Sequence, residues 1–360
     1  MNTETSIPQQ ISRADLISLS ENDVTEVACF IATQSGRIKN TVQEHLRWFL
    51  LENPARQAND PLGFGLRSAD QFVGCILCSP QAFRFENQKI VFMGSSSFYV
   101  DESHRGHGGR VFLQYSRLAN RWPLFGTSAN PEAAALWKAA GASSIPDSDA
   151  ELFGILHWPP VAEEFAHRRH PLLSRLAATS ISNLAAVWRP LKFDGGTSDA
   201  LQPLTSAEQV NDLVAENSCE KLTAMRDFAY IRWRYFSDRK DGIEAFAFRS
   251  RQPDQEILVT VNQRSRGYRG QIKTLNVLDV YPEVSADEWL RIAGALTHRY
   301  RTAIDAVVLR NQNQKRQKLL CDKGFRRRVF DAPTGWYIDK AGLLPACDWY
   351  PVPADCDGLI

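Results

Sequence analysis

Between Tyr99 and Arg110 the chain reads Y-V-D-E-S-H-R-G-H-G-G-R, a run whose open chemistry is the holding of an anion. Glycines at 106, 108 and 109 let backbone N–H groups approach phosphate oxygens with no Cβ in the way, and Arg105 and Arg110 add guanidinium groups able to pair with phosphates. The apolar stripe Val111, Phe112, Tyr115, Leu118 and Ala119 has helical period and opens directly from the glycines, so strand, glycine loop and helix are predicted in sequence. The positive end of that helix dipole then points at the same place as the free N–H groups. Glycine-rich turns before helices also occur as plain tight turns, and on these residues alone both readings stay open.

A second segment, N-P-E-A-A-A-L-W-K-A-A-G, follows some twenty residues on, with Asn130 placed to cap a helix, Pro131 at its first position and Gly141 at its stop. Cys75 and Cys78 form a C-x-x-C, but they fall in a predicted strand with no second pair and no adjacent His, which reads as core and not as zinc or redox chemistry. His104 and His107 would need a closing carboxylate to hold a metal, and none is expected there. The R-W-R-Y run at 232–235 could stack on a sugar or base, or serve as helix packing with solvated arginines. The basic clusters H-R-R-H-P and Arg326 to Arg328 read as solvated faces or contacts to acids.

The elements that must position these residues come in two similar series. Helices are predicted over Asp23 to Thr33 and Thr41 to Leu51, then a meander of strands at Gly63 to Arg67, Gln71 to Cys78 and Ile90 to Asp101. After the glycine run and its helix come a strand at Leu124 to Ser128, the Asn-led helix, and a strand from Glu151 to Trp158 expected to close the first unit. Residues 161–200 read as a linker, with an amphipathic helical connector from Leu172 to Val187. The second series has a helix from Ser206 to Asn217, strands at Ile243 to Ser250, Ile257 to Asn262 and Gln271 to Val280, and a helix from Ala286 to Arg299. A strand from Ala306 to Arg310 then leads into N-Q-N-Q-K-R-Q-K-L-L-C-D-K-G-F, headed by Asn311 or Asn313. A repeated order of elements constrains the fold even where residues have diverged.

At 360 residues two domains of roughly 150 to 180 residues are the natural division, since single cores stop growing near this length. Lys and Arg number 42 against 41 Asp and Glu, so no global field favours nucleic acid or an anionic membrane. The seven scattered cysteines form no disulfide framework and suit a reducing compartment, which makes the cytoplasm the expected location. No signal peptide, transit peptide or apolar run near the roughly 18 residues of a membrane span is read from the sequence.

The two segments V-D-E-S-H-R-G-H-G-G-R-V-F and N-P-E-A-A-A-L-W-K-A-A-G-A, in this order, resemble the signature segments of the GNAT acyltransferase superfamily. The resemblance implies an α/β chain of two GNAT-like domains, each a mixed, mostly antiparallel twisted sheet flanked by helices: residues 1–160 with an acyl-CoA loop, and 201–360 without one. It implies CoA pyrophosphate held by Arg105, Gly106, His107, Gly108, Gly109 and Arg110, a strand end of Tyr99, Val100 and Asp101 gripping the pantetheine, and Asn130 beside it. The second unit lacks the small residues a pyrophosphate needs, reading V-Y-P-E-V-S-A-D-E-W after Asp279, so no CoA is expected there. R-D-F-A-Y-I-R-W-R-Y-F and D-W-Y-P-V-P-A-D-C-D resemble, more loosely, Fem-type and polysaccharide-associated members.

The implied reaction is transfer of an acyl group, acetyl by expectation, from acyl-CoA to the amine of a small polar acceptor such as an amino sugar, with no metal. Asp101 and Glu102 are by position the candidates for the base that deprotonates the ammonium. Two departures stand out: Arg110 occupies a loop place usually held by Gly or Ala, and Trp137 stands where many members have a proton-donating Tyr. They frame two alternatives, a noncatalytic tandem GNAT binding protein and a Fem-type aminoacyl-tRNA-dependent ligase.

Overall fold

The computed structural model describes residues 14–85, 88–169, 191, 200–210, 221–237, 242–251, 255–267, 270–310 and 312–344. The connector expected over Leu172 to Val187, Asn311, the second half of the helix expected at Ser206 to Asn217 and the closing D-W-Y-P-V-P-A-D-C-D lie outside them.

In chain order the strands and helices are β1 (Asp15–Ser18), α1 (Val24–Ser35), α2 (Lys39–Leu51), β2 (Gly63–Ser68), β3 (Gln71–Phe85), β4 (Gln88–Val100), α3 (Gly108–Ser116), β5 (Leu124–Gly126), α4 (Pro131–Ala139), β6 (Ser143–Ser144), β7 (Ala150–Ile155) and α5 (Trp158–Arg169). There follow β8 (Leu201–Leu204), β9 (Thr223–Ala224), α6 (Phe228–Tyr235), β10 (Ile243–Arg249), β11 (Glu256–Arg266), β12 (Ile272–Tyr281), α7 (Ala286–Tyr300), β13 (Ala306–Arg310), α8 (Gln314–Asp322), β14 (Arg326–Val329) and β15 (Trp336–Ile338).

Period decides which side of each element is buried. Along β3, Cys75 and Leu77 face α1 and α2, where Val24, Val27, Ala28, Ile31 and Leu46 supply a stripe at helical spacing. Ile76 and Cys78 point to the other side, onto Val111, Phe112 and Tyr115 of α3 and Trp137 of α4. Each fully buried Leu or Phe of these layers contributes about 1.5–3 kcal/mol. The core on the α1 and α2 side continues through Tyr230, Ile231 and Tyr235 of α6 to Leu258, Leu278 and Tyr281 of the second sheet. Burial pushes the Cys75 thiol up to about 12 and raises that of Cys78, as befits core positions on β3.

Two mixed sheets result. Among the described residues the first runs β1-β2-β3-β4-β5-β15-β6, with β9 also on β3, and the second runs β14-β7-β13-β12-β11-β10-β8. All pairs are antiparallel except one in each sheet, β4 with β5 and β12 with β13. Helices flank both sheets, and no helix among the described residues is long and apolar enough to cross a membrane.

Two points differ from the sequence reading. The strand expected to close the first unit, β7, instead lies in the second sheet between β14 and β13, and β15 from the far end of the chain joins the first sheet between β5 and β6. Leu152 of β7 is buried in the second core, and Gly154 lies under Phe325, whose ring would stand 2.7 Å from an added Cβ. Periodicity reports that a segment is a strand; only these tertiary contacts choose its sheet. The second point is Pro80, which does not end β3. The strand continues to Phe85 because pairing with β2 stops at Leu77, so the side of Pro80 that lacks an N–H faces no ladder partner.

Candidate acyl-donor site

β4 and β5 run side by side only at Met93 opposite Leu124 and Gly94 opposite Phe125, where Met93 N–H donates to Pro123 O at 2.9 Å. Beyond that point they separate. A bulge in β4 helps to turn it away: Leu77 faces Ser96 and Cys75 faces Tyr99, so Ser97 and Phe98 together oppose Ile76, and Ser97 takes a φ of 48°. Asp101 N–H donates to Val73 O at 2.8 Å on the β3 side, so strand alternation turns the Val100 N–H to the opposite, open side.

The fork holds a cleft of about 820 Å³, walled by β4 from Ser95 to Val100, by Gly126 to Asn130, by Arg105, and by the first turn of α3. Residues 102–107 are not an open glycine loop but a short 3-10 helix that runs straight into α3. Gly108 has ordinary helical angles, φ −55° and ψ −41°, so conformational freedom is not what its lack of a side chain provides. Space is. A Cβ on Gly109 would meet nothing within 4 Å, and one on Gly108 would meet only Val100 and Phe98 at 3.6 and 3.7 Å. The protein interior does not require glycine at 109, whereas a phosphate drawn to the N-terminus of α3 needs the backbone bare.

Of the residues singled out from the sequence, Tyr99, Val100, Arg105, Gly108, Gly109 and Asn130 come together on the cleft. Asp101, Glu102, Gly106, His107 and Arg110 are not among its walls. The Arg110 guanidinium lies 3.3 Å from Ala14 O and 3.2 Å from His107 Nδ1, so it neither crowds the fork nor adds charge to it. Asn130 spends its side-chain oxygen as the cap of α4, accepting from Ala133 N–H at 2.8 Å.

The two carboxylates expected as base do other work. Glu102 is exposed and stands 3.8 Å from Arg105, a surface pair of small energetic weight. Asp101 caps the 3-10 helix, accepting from Ser103 N–H at 2.9 Å and from the Ser103 hydroxyl at 2.6 Å. Those bonds from Ser103 hold its carboxyl below the usual range, which makes it a weaker base. A depressed folded pKa places the stabilising effect of Asp101 above the unfolded value and removes it as pH falls through the folded one, below about pH 4. Asp101→Ala should cost about 1 kcal/mol in urea unfolding, Asp101→Asn less because the cap persists. Asp101→Asn should also leave the turnover rate at neutral pH within about threefold, since the carboxylate does not face the cleft; a loss of a hundredfold would restore it as the base.

A small chamber of about 30 Å³ continues the fork on the far side, sharing Ser95, Gly126 and Thr127 with the cleft. Its remaining walls include Phe49, Phe125, Tyr230, Trp233 and Arg234. R-W-R-Y thus serves packing first: Trp233 stacks on Trp48 with centroids 4.8 Å apart, and each indole N–H donates to the other's backbone carbonyl at 3.1 Å. Beneath the fork the Tyr115 hydroxyl ties the two prongs, donating to Met93 O at 2.8 Å and lying 3.3 Å from Phe125 O. Burial raises the Tyr115 phenol well above its ordinary value, so it keeps its proton. Trp137 is a wall of the cleft, edge-on to Phe112 and Tyr115. The sequence reading passed over Ser95, Gly126 and Thr127; the small residues of G-S-S-S and G-T-S, one run in each prong, were the signal.

The second sheet repeats the fork and fills it. β12 and β13 pair in parallel from Thr274 opposite Ala306 to Asn276 opposite Val308, and a bulge follows in the β11–β12 ladder. Gln312 then donates to Arg310 O at 2.8 Å, Gln317 donates to Gln312 O at 2.6 Å, and buried Arg316 reaches Glu283 and Val284 O at 2.7 Å each. The basic run 326–328 is bound to acids of its own chain, Arg327 to Asp149 at 3.1 Å and Arg328 to Glu151 at 3.2 Å.

No protein-family model matches the sequence, and no curated protein sequence matches it. Solved structures do. A probable N-acyltransferase from Enterococcus faecalis V583 is similar at a TM-score of 0.56 and 11% identity over 91% of this chain and 73% of its own. A GCN5-related N-acetyltransferase from Anabaena variabilis ATCC 29413 is similar at 0.55 and 12% identity, with 91% and 73% covered. The N-myristoyltransferase of Saccharomyces cerevisiae with bound myristoyl-CoA is similar at 0.56 and 11% identity, with 93% and 80% covered. With its two mixed sheets flanked by helices, the chain therefore has the fold of the GNAT-type N-acyltransferases.

Proposed function

We propose that this chain is an acyl-CoA-dependent N-acyltransferase whose donor lies in the fork of the first sheet. The observation that carries the reading is that one cleft joins the bare N-terminus of α3 at Gly109 to the unpaired edge of β4. The first suits a diphosphate and the second an amide-bearing arm, which are the two ends of a CoA thioester. Arg105 adds the charge that Arg110 does not. The Val100 N–H then faces the thioester carbonyl and polarises it for attack by a neutral amine.

The chamber bears on the acyl group. A water occupies roughly 10–15 Å³ on a comparable measure, so about 30 Å³ holds two or three small groups, an acetyl and not a fatty chain. The yeast neighbour is described with myristoyl-CoA, and the same donor class with a shorter acyl chain is the reading here. The acceptor is a small polar amine, an amino sugar among the candidates. In domain terms the reading keeps residues 1–160 as the donor unit and 201–360 as its CoA-free companion, with their closing strands exchanged.

Calorimetry with CoA, followed by thiol release from acetyl-, propionyl- and myristoyl-CoA over a panel of amines, tests this. Expected are CoA binding and turnover that favours acetyl-CoA over myristoyl-CoA by at least about tenfold. Binding with no thiol release from any pair transfers the chain to the noncatalytic reading; no binding removes the donor site.

A further inference from the structure

α6 is apolar on two sides. Tyr230, Ile231 and Tyr235 are buried in the core, while Phe228, Trp233 and the Phe236 that ends the helix line a groove of about 580 Å³ between α6 and the end of α2. A helix that is apolar all round is ordinarily enclosed, yet Phe228 stands 37% exposed in this groove. The volume and the aromatic walls are those of a small-molecule site, in which a few polar groups fix the ligand. Two of the walls carry charge, Arg232 and Glu52. Arg232 has an acid near it, since the Glu208 carboxyl is held below its usual range by hydrogen bonds from its own backbone N–H and from Ser206, and by the charge of Arg232. Glu52 is placed differently. It stands at the C-terminal end of α2, where the helix dipole is negative and a carboxylate unfavourable, and no basic residue lies in the last turn to offset it. Among the described residues its carboxylate has no partner. Helix end and carboxylate thus add their negative charge on one wall of an aromatic groove.

That combination suits a cation on an apolar body. A carboxylate takes a charge-assisted hydrogen bond from an ammonium, and the negative faces of aromatic rings attract the same charge and the C–H groups beside it. We infer that the groove binds an organic amine in its ammonium form, with the charge at Glu52 and the body along Phe228, Trp233 and Phe236. Such amines are the acceptor class of the proposed reaction, and Trp233 is a wall of both this groove and the chamber at the fork. The link to acyl transfer rests on the donor reading above; the binding itself does not.

The test is ligand-observed NMR titration of the full chain without CoA, at about pH 6, with two pairs that differ by an ammonium in place of a hydroxyl: phenethylamine against 2-phenylethanol, and glucosamine against glucose. At least one amine should bind about tenfold more tightly than its uncharged partner. Glu52→Gln, at an exposed position, should lose that preference while calorimetry shows an unchanged affinity for CoA. Phe228→Ala should weaken both members of the preferred pair by about threefold or more. The pair that binds more tightly identifies the body, aromatic or sugar. Indifference to charge in both pairs, or a preference that survives Glu52→Gln, overturns the inference and leaves the donor site standing. Failure of CoA to bind while the amine preference is intact overturns the donor reading alone. Should Phe228→Ala not fold, the wild-type preference and its loss in Glu52→Gln decide the matter.

Discussion

Gly109→Asp weakens CoA binding by about a hundredfold, close to 2.7 kcal/mol, in a protein that unfolds at the wild-type temperature or slightly above it. The two halves of this expectation come from different parts of the same position. A side chain at 109 meets no atom of the protein within 4 Å, and the residue lies in the first turn of α3. There an Asp gains a few tenths of a kcal/mol over Gly in helix propensity and about 0.3–1 kcal/mol from the dipole. That favourable charge occupies the spot a diphosphate would take and repels it. Gly109→Ala separates bulk from charge and should lose the smaller share. Calorimetry with CoA and a thermal melt on each variant give the result, and unchanged affinity in Gly109→Asp would remove the diphosphate from this helix end.

The second large effect is on stability. Arg226 and Asp279 are both fully enclosed, with Arg226 Nε donating to the carboxylate at 2.8 Å and the Tyr235 hydroxyl donating to it at 2.6 Å. Arg226 belongs to the segment that leads into α6 and Asp279 to β12, so the pair fastens R-D-F-A-Y-I-R-W-R-Y-F to the second sheet. Asp279→Ala strands a guanidinium away from water and should cost about 3–5 kcal/mol. At about 2–4 °C per kcal/mol, the melting temperature should fall by roughly 10 °C. The double variant Arg226→Met with Asp279→Leu should regain most of the loss, because two apolar side chains leave no charge to be desolvated. A fall below about 1 kcal/mol in Asp279→Ala would mean that water reaches the guanidinium.

What the sequence disclosed divides along one physical line. Caps, stops and periods are local, and they were legible: Asn130 caps the helix it was expected to head, and Asn313, one of the two residues expected to lead the later helix, caps that one. The cleft itself is not local. It exists because a bulge at Ser97 and the short length of β5 let two strands part, and neither Ser97 nor Gly126 carries a residue type that marks a fork by itself. Arg110 shows the same limit at one residue. Its place in the loop suggested a phosphate contact, and the N-terminal segment, passing close by, takes its guanidinium at Ala14 instead. The glycine run does border a cleft at Gly108 and Gly109, but Gly108 there has helical angles, so what its lack of a side chain offers is space and not an open loop.

The prong that carries Gly126 and Thr127 is braced by residues from the opposite end of the polypeptide. Trp336 pairs with Gly126 in the exchanged strand β15, and Thr334 O accepts from Ala129 N–H at 3.0 Å just beyond. A ribosome emits the amino end first, so the proposed donor fork waits for its buttress until Trp336 to Ile338 have been added. A polypeptide cut before Trp336 lacks the strand that borders Gly126, so under the proposed function its donor cleft has no wall on that side to hold it.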